Sequence, residues 1–236
     1  MGIWQSSKFA AMAGSRVTAA ESLLTQYSTI DGQGLAVDFT DGTMTVRDTV
    51  TPANNFTGDF RSKFTVIGTL APSALGVLID ASNYATLATS AFPSTGTLAT
   101  ILAEYYFSAL TAVIQTIACI DNGLTTERLN LYISAAGNAA DEMRFAGAAV
   151  VSHNNLGAYT AGTIRRTVSA FQLNNSNGAF NGVAATNDII CVMATGTTTL
   201  RLGRTSATQQ MDGYLRKLVI IPARMTDAQI ASMSVV

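Results

Sequence analysis

Carboxylate side chains are the residues of this chain that could cleave a glycosidic bond, because that reaction needs an acid and a nucleophile or base flanking the bond. On a strand, the two groups must lie two to four residues apart so that both face one cleft. Asp141 and Glu142 are adjacent and would point to opposite faces. Glu104 is alone on its strand, and Glu127 lies beside a turn. No pair fits, so the sequence predicts a protein that is not an enzyme.

The only histidine, His153, lies in the polar segment 152–155, which has the composition of a loop. No serine, cysteine or carboxylate motif accompanies it, so a nucleophilic triad is not indicated and we expect a solvated loop histidine. Cys119 and Cys191 lie in apolar runs typical of strands, and we expect two buried thiols. Two cysteines do not imply a disulfide framework, and with one histidine they do not reach a structural zinc site.

Calcium binding needs about six or more oxygen ligands from carboxylates and carbonyls. Asp59, the pair Asp121-Asn122 and the pair Asn187-Asp188 could each supply some of these oxygens. None of them has companions at a ligand spacing. The sequence therefore predicts no cofactor, with calcium as the weaker alternative.

A sugar-binding site would combine an aromatic platform with Asn or Asp donors on a loop. The pair Tyr105-Tyr106 and Tyr159 could provide the platform, but one residue of the pair must face the core because successive strand residues point to opposite faces. The asparagine-rich loop that includes Asn174 and Asn181 could provide the donors, although such turns are also common without a ligand. Tyr159, Asn174 and Asn181 are the candidate glycan-binding residues.

Composition limits the class of protein. Hydrophobic residues make up 48% of the 236 residues and charged residues only 12%, about half the usual charged share. A surface of Ser, Thr, Asn, Gly and Ala favours permanent packing against neighbours. The formal net charge is −1 and no basic run exceeds Arg165-Arg166, so no nucleic-acid partner is predicted. We expect these arginines, like Arg201 and Arg204, to lie on an outer sheet surface or at a protein interface.

Targeting signals are not evident in the sequence. No window approaches about 18 unbroken apolar residues, so no membrane partner is predicted. The N-terminus lacks the basic-then-apolar order of a signal peptide. We therefore expect a protein made and kept in a cytoplasm until something releases it.

The elements that must position these residues are mainly β-strands. Residues 35–48 alternate between apolar and polar around Asp41-Gly42, which predicts a β-hairpin with a two-residue turn. The polar stretch 49–63 is predicted to be a loop. From residue 97 onward, strand patterns recur about every ten residues, the spacing of a β-sandwich. The predicted strands are 64–67, 76–79, 98–107, 112–120, 129–134, 142–148, 163–172, 179–185, 188–193, 198–203 and 213–221.

Helical patterns lie at the two ends of the sequence. Residues 1–34 carry apolar side chains at loosely helical spacing and predict an arm with one or two short helices, either strapped over the sandwich or docked on another subunit. Trp4 and Phe9 are the candidate assembly contacts of this arm. A capping box at 226–229 predicts a helix over 226–233. The predicted domains are the arm, 1–34, and one β-sandwich, 35–236.

The second half of the chain resembles a known sandwich family. The resemblance rests on the strand 163–172, the hairpin Phe180-Asn-Gly-Val183, the strand that ends in Leu200-Arg-Leu-Gly203, and the closing segment 213–230. In this order they are similar to the concanavalin A-like (laminin-G or pentraxin-like) jelly roll. The opening hairpin, 35–47, resembles that of tail-fibre-type proteins from phages and prophages of α-proteobacteria. The Arg-Phe-Asp-Tyr segment usual after that hairpin is absent, and residues 50–160 carry no matching motif.

This resemblance implies an all-β jelly-roll sandwich of two antiparallel sheets in a non-enzymatic phage virion structural protein. Such a fibre, spike or head-decoration subunit would be located in the virion, with other virion proteins as partners. It would assemble as a homo-oligomer through its arm and its sandwich faces, a trimer by analogy. The alternative is a lectin-like receptor-binding module that recognises a glycan on the host surface.

Overall fold

The structure, a computed structural model, describes residues 19–27, 33–93, 98–124, 126–205 and 209–236. Within these ranges the chain forms two α-helices, α1 (Ala19–Tyr27) and α2 (Asp227–Met233), and sixteen strands. Three short 3₁₀ helices lie at Pro52–Asn54, Phe60–Ser62 and Thr89–Ala91. The strands are β1 (Gly34–Asp38), β2 (Thr43–Arg47), β3 (Phe56–Asp59), β4 (Thr65–Ile67), β5 (Val77–Ile79), β6 (Tyr84–Ala88), β7 (Leu98–Tyr106), β8 (Gln115–Asp121), β9 (Arg128–Ile133), β10 (Asn138–Phe145), β11 (Ala148–Ala158), β12 (Ile164–Gln172), β13 (Asn177–Phe180), β14 (Val183–Ala184), β15 (Thr199–Leu202) and β16 (Gly213–Ile221).

Two antiparallel sheets form the sandwich, which confirms the predicted jelly-roll class. The first sheet has nine strands in the order β14-β13-β12-β7-β16-β1-β2-β3, with β5 also paired to β16. The second sheet has seven strands in the order β11-β10-β9-β8-β15-β6-β4. Because β16 lies between β1 and β7, the last strand of the sequence joins its first hairpin to the centre of the first sheet.

Alternation along each strand separates the core from the outer faces. From β7, Ile101, Ala103 and Tyr105 point between the sheets into one large apolar cluster. The opposite face of the first sheet carries a second cluster, in which strand residues such as Leu102 pack against Leu24 of α1 and other helix residues. Both helices therefore cover the outer face of the first sheet. No helix in the described part of the chain is long and apolar enough to cross a membrane.

Several local predictions are confirmed. Strand β16 occupies the predicted range, and β7 and β12 each differ from theirs by a single residue. At the start of α2, the backbone amide of Gln229 donates to the hydroxyl of Thr226 over 3.3 Å, and the amide of Thr226 donates to Gln229 Oε1 over 2.8 Å. These two hydrogen bonds form the expected capping box. The helix α1 lies in the region predicted to be an arm, while Trp4 and Phe9 lie outside the described residues.

Other predictions are wrong for identifiable reasons. The first hairpin has a four-residue connection, 39–42, because Phe39 enters the core and its amide bonds to Arg216 O. The range 179–185 is not one strand but two, since Asn181 and Gly182 adopt positive φ and form the turn of the hairpin Phe180–Val183 that the resemblance implies. The segment 188–193 is not a strand: within it only Asp188 forms an isolated bridge, to Ser176.

Three strands were not predicted. Strand β3 lies in the predicted loop 49–63, and it is an edge strand whose alternate residues are exposed. Strand β6 has a short, partly polar sequence, and β11 includes the polar segment 152–155. Each of them is defined by pairing with a neighbouring strand, which the local sequence does not reveal.

Candidate functional site

A surface cleft of about 610 Å³ lies at one end of the sandwich, and we call it the Asp48 cleft. Its walls come from the loop after β2, the segment after β6 and the segment that leads into β15. Its volume lies in the usual range of small-molecule sites. The residues that line it are Gln33, Asp48, Val50, Thr51, Asn54, Thr89, Ser90, Phe92, Pro93, Thr195, Thr197 and Pro222.

Asp48 organises the first wall of the cleft. Its Oδ1 accepts hydrogen bonds from the backbone amides of Val50 (3.0 Å) and Thr51 (2.8 Å), and its Oδ2 accepts one from Asn54 Nδ2 (2.9 Å). This arrangement is an Asx-type turn, in which a side chain takes the place of a backbone acceptor. Burial would raise the pKa of Asp48, but these hydrogen bonds lower it overall. The carboxylate is therefore held in its charged form and fixes the loop.

Cross-links join the three walls of the cleft. Asn54 Nδ2 also donates to the backbone oxygen of Ser90 over 3.0 Å. The hydroxyl of Thr89 donates to Thr197 O over 3.2 Å, and the amide of Thr89 donates to Thr198 O over 2.9 Å. Segments distant in the sequence are thus held in register, so the cleft is largely preformed.

The cleft offers neutral hydrogen-bonding groups to a ligand. Thr51, Ser90 and Thr195 are exposed, and within the described chain their side-chain hydroxyls have no hydrogen-bond partner. Asp48 is the only charged residue among those that line the cleft, and its oxygens already have three donors. Phe92 and Pro93 add buried apolar surface. Such a site suits an uncharged, hydroxyl-rich molecule.

The structure does not bring the predicted glycan-binding residues together. Tyr159 is only 5% exposed, and its hydroxyl accepts from the amide of Phe107 (2.8 Å) and donates to Thr163 O (2.5 Å). Its ring packs against Tyr105 and Phe107 in the core, so it is not a sugar platform, which corrects that prediction. Asn174 and Asn181 are exposed turn residues with positive φ, and they flank opposite ends of β13.

His153 is not the solvated loop residue that the sequence predicts. It lies on β11, where pairing with β10 places it opposite Asp141. Its Nδ1 is 2.7 Å from Asp141 Oδ1, its Nε2 is 3.2 Å from Thr186 O, and its side chain is 12% exposed. Burial would lower the pKa of His153, but the contacts with Asp141 and Thr186 raise it overall. Both ring nitrogens face acceptors, which favours the doubly protonated ring.

A serine also contacts this pair, but the three residues are not arranged as a nucleophilic triad. Ser169, on β12, donates to Asp141 Oδ2 over 2.5 Å. In a triad the histidine lies between the serine and the aspartate and takes the serine's proton. Here the aspartate lies between the other two, and Asp141 is completely buried. The cluster links the two sheets, and His153 is not placed to take the proton of Ser169.

The carboxylates singled out from the sequence have other partners. Glu142 binds Arg128 and Arg144 on the face opposite Asp141, as the strand alternation predicts. Glu127 accepts from the backbone amide of Gly196 over 2.6 Å. No two of these side chains approach a common cleft in the described part of the chain.

The calcium donors are likewise engaged. Asp121 binds Arg201 over 2.7 Å, and Asp59 binds Arg61 over 2.6 Å. Asn187 donates to Asn175 Oδ1 over 2.8 Å, at another turn of the sandwich. Within the described ranges no group of three or more His, Cys, Asp or Glu residues could hold a metal ion.

Both cysteines are buried and free, as predicted. Cys119 points to the outer side of β8 and is close to Asp121. Burial, followed by the charge of Asp121, raises the pKa of the Cys119 thiol well above its usual value. The Cys119 thiol is therefore unsuited to act as a nucleophile, and Cys191 is completely buried.

The residues of the Asp48 cleft were not selected from the sequence. A signal was present: in Asp48-Thr-Val-Thr51 an aspartate precedes small and β-branched residues, as in an Asx turn. The other walls of the cleft, which include Ser90 and Thr197, are remote from this turn in the sequence and carry no motif. The turn could have been predicted, but the cleft could not.

Comparisons with known proteins find similar solved structures but no similar sequence family. No protein-family model matches the sequence, and no curated protein matches it. A solved structure of Ruminococcus gnavus IT-sialidase CBM40 bound to α2,3-sialyllactose is 15% identical, with 59% of this chain and 83% of that chain covered and a TM-score of 0.48. A second similar structure is that of the Streptococcus pneumoniae sialidase NanB with Optactamide. It is 13% identical, with 62% of this chain and 26% of NanB covered and a TM-score of 0.50.

Trypanosoma rangeli sialidase is 11% identical, with 64% of this chain and 25% of the sialidase covered and a TM-score of 0.49. The chain thus spans about a quarter of the length of each of these two sialidases. At such low identity the likeness concerns the fold alone. The likeness to NanB agrees with the β-sandwich described above.

Proposed function

We propose that this protein is a non-catalytic carbohydrate-binding module and that the Asp48 cleft is its glycan site. The observation that carries the proposal is a fixed cleft with exposed, unpartnered hydroxyls on its separate walls, at Thr51, Ser90 and Thr195. Sugars present hydroxyl groups that both donate and accept hydrogen bonds, and threonine and serine hydroxyls do the same. The exposed side chain of Val50, which also lines the cleft, would contact the carbon face of a sugar ring.

The absence of a suitable carboxylate pair supports binding without cleavage. Asp48 lines the cleft, but hydrogen bonds hold it ionised and fixed in the turn. A glycosidase would need a second carboxyl group across the bond. None of the other residues that line the cleft is an aspartate or a glutamate.

Binding to a glycan array, followed by calorimetry with the best ligand, tests the proposal. Replacing Thr51 or Thr195 by valine removes one hydroxyl at nearly constant shape. Loss of one neutral hydrogen bond should weaken binding about threefold to tenfold. Thr65→Val, which removes an exposed hydroxyl from the second sheet, is the matched control.

Either of two results would contradict this proposal: no glycan bound by the wild-type chain at millimolar concentration, or equal affinity in the cleft variants and the control. Recovery of the bound glycan after prolonged incubation tests the second half of the proposal. The glycan should be intact, and shortened products would show that the module is a hydrolase.

A structural subunit of a larger assembly, such as a phage virion, is the second candidate function. The observation that favours it is a patch of exposed aliphatic side chains around the buried Cys191: Leu173, Ile189, Ile190 and Val192. The amide of Asn174 bonds to Cys191 O over 3.0 Å, so the two segments that carry the patch are adjacent. Exposed apolar patches of this kind mark interaction sites.

A homo-oligomer would bury this patch. Light scattering over a concentration series should show the oligomer, a trimer by the analogy above, and Ile190→Ser should dissociate it. Val50→Ser, which changes an equally exposed side chain at the Asp48 cleft, should leave it intact. A wild-type chain that is monomeric at all concentrations, or an oligomer unaffected by Ile190→Ser, would contradict assembly through this patch.

A further inference from the structure

The outer face of the first sheet has a part that α1 and α2 cover and a part that no helix of the described chain covers. In the covered part, one register row runs across four strands and consists of Val168, Leu102, Val219 and Ala36. All four are buried in the apolar cluster that includes residues of α1 and α2. The strands continue beyond this row, where many of their outward side chains are charged or aromatic.

An aromatic row crosses the sheet at its uncovered end. Register places Tyr106 between Ile164 and Tyr214, and Tyr214 beside Leu78. All four side chains are partly exposed or exposed. The rings of Tyr106 and Tyr214 have centroids 6.2 Å apart and an interplanar angle of 59°. Neither phenol hydroxyl has a hydrogen-bond partner in the described chain.

A charged row lies between the aromatic row and the covered row. Its centre is Glu104, which is 2% exposed and is approached by Arg166 (2.7 Å), Arg216 (3.0 Å) and Lys217 (3.6 Å). Burial would raise the pKa of Glu104, and its cationic neighbours lower it overall. One carboxylate thus faces three cations.

A β-bulge produces this excess of positive charge. The register between β16 and β7 shifts between Leu215 and Lys217, so Arg216 and Lys217 both reach Glu104. In a regular strand, two consecutive side chains would point to opposite faces. Bulges commonly re-aim side chains beside functional sites.

A second carboxylate lies in the charged row. Asp38 lies opposite Lys217 in the register with β1, and its Oδ1 accepts from the amide and the hydroxyl of Thr40. Within the described residues of this row, two carboxylates, Glu104 and Asp38, thus lie beside three cations. Arg216 uses Nε for Glu104 and Nη1 for Ala74 O, which leaves Nη2 able to donate, as can the Lys217 ammonium.

The two rows are spaced to contact one ligand. Neighbouring positions on one face of a strand are about 7 Å apart. A pyranose ring that lies on the tyrosines would therefore place a carboxylate substituent near the charged row. Aromatic rings bind the carbon face of a sugar, and guanidinium and ammonium groups bind carboxylates.

We propose that Tyr106, Tyr214, Arg216 and Lys217 form a second binding site, on the outer face of the first sheet, for a carboxylated sugar. The ring contacts the two tyrosines, and the carboxylate accepts from Arg216 Nη2 and Lys217 Nζ. Glu104 is a positioning residue that holds the cations in place. This site does not depend on the Asp48 cleft, because it shares no residue with it.

Titration of the full chain with glucuronate, followed by amide NMR, tests this proposal. Glucose is the control sugar that lacks the carboxylate, and inorganic sulfate is the control anion that lacks a sugar ring. Glucuronate should shift the amides of residues 104–106 and 214–217, glucose should bind at least tenfold more weakly there, and sulfate should shift only the charged row. Resonances of the Asp48 cleft report separately on the proposed function, so failure of one site is distinguishable from failure of the other.

Two variants assign the roles of the rows. Tyr214→Ala should weaken glucuronate at least fivefold and leave sulfate unchanged, while Lys217→Gln should weaken both. Thermal unfolding confirms that each variant is folded. The proposal is overturned if glucuronate shifts the amides of neither row, or if glucose binds as well as glucuronate. It is also overturned if Tyr214→Ala leaves glucuronate binding unchanged, because that result would indicate an adventitious ion only. Because the wild-type titration alone can give the first two results, the test does not depend on a variant that folds.

Discussion

Two buried carboxylates of this protein are stabilised by different kinds of partner. Asp48 is 4% exposed and accepts hydrogen bonds from two backbone amides and one side-chain amide. Glu104 is 2% exposed and contacts three cationic side chains. In both, burial acts to raise the pKa and the partners lower it overall, so both are ionised at neutral pH.

The difference lies in the charge that remains around each carboxylate. The neutral donors of Asp48 add no positive charge, and the cleft that it anchors presents mainly hydroxyl and amide groups. The cations around Glu104 more than compensate its charge, and the surface beside it can attract an anion. The burial of one carboxylate can therefore accompany a surface for a neutral ligand or for an acidic one, depending on its partners.

The largest effect is expected for Glu104→Gln. The substitution leaves Arg166, Arg216 and Lys217 close together without their shared counter-charge. Removing one member of a buried ionic network commonly costs about 3 kcal/mol or more, and partial exposure of these cations reduces the cost to about 2–3 kcal/mol. Urea denaturation measures the loss against Asp212→Asn, which removes an exposed carboxylate from the loop before β16. A loss no larger than that of the control would show that the cations do not need Glu104.

Asp48→Asn should have a smaller effect on stability, about 1–2 kcal/mol. The amide oxygen of asparagine can still accept from the backbone of Val50 or Thr51, but its nitrogen cannot accept from Asn54. The same denaturation experiment measures this loss, and the amide resonances of residues 50 and 51 should report a loosened turn. If Asp48→Asn proved more destabilising than Glu104→Gln, neutral donors would stabilise a buried carboxylate better than cations do.

A third buried carboxylate, Asp141, has a partner that can lose its charge. Because the folded-state pKa of His153 is raised, its contribution to stability is fully present below its unfolded pKa, about 6.5, and is lost as the pH rises through the folded-state value. The free energy of unfolding of the wild type should therefore fall from about pH 6 to about pH 8 relative to His153→Gln. Parallel pH profiles for the two proteins would show that His153 is not linked to folding.

The sequence predicts those parts of the fold that depend on short-range patterns. The alternation in 213–221 and the capping box at Thr226 and Gln229 are local, and the structure confirms both. His153 was predicted to lie in a loop because its neighbours are polar, whereas pairing with β10 makes it part of a strand. That pairing is a long-range property, and polar strand residues at a sheet edge leave no distinct pattern.

The candidate sites were predictable only in part. Alternation correctly indicates that one of Tyr105 and Tyr106 faces outward, and the structure shows that it is Tyr106. The approach of both Arg216 and Lys217 to Glu104 depends on a bulge, which contradicts simple alternation. Tyr159 was wrongly assigned to a sugar-binding site. Its ring packs in the core against Tyr105 and Phe107, and no local sequence pattern indicates that position.

The smallest of these effects is a difference in salt dependence between the destabilisation by Asp48→Asn and that by Glu104→Gln. At 1 M salt the Debye length is about 3 Å, so repulsion among the three cations that Glu104→Gln leaves behind is screened. The destabilisation by Glu104→Gln should therefore shrink by several tenths of a kcal/mol between about 0.05 M and about 1 M NaCl. The destabilisation by Asp48→Asn should stay constant, because the donors around Asp48 are uncharged. Urea denaturation measures the difference when it is run on both variants and the wild type at each salt concentration. Equal salt dependence of the two variants would mean that cations and neutral donors stabilise these two carboxylates in the same way.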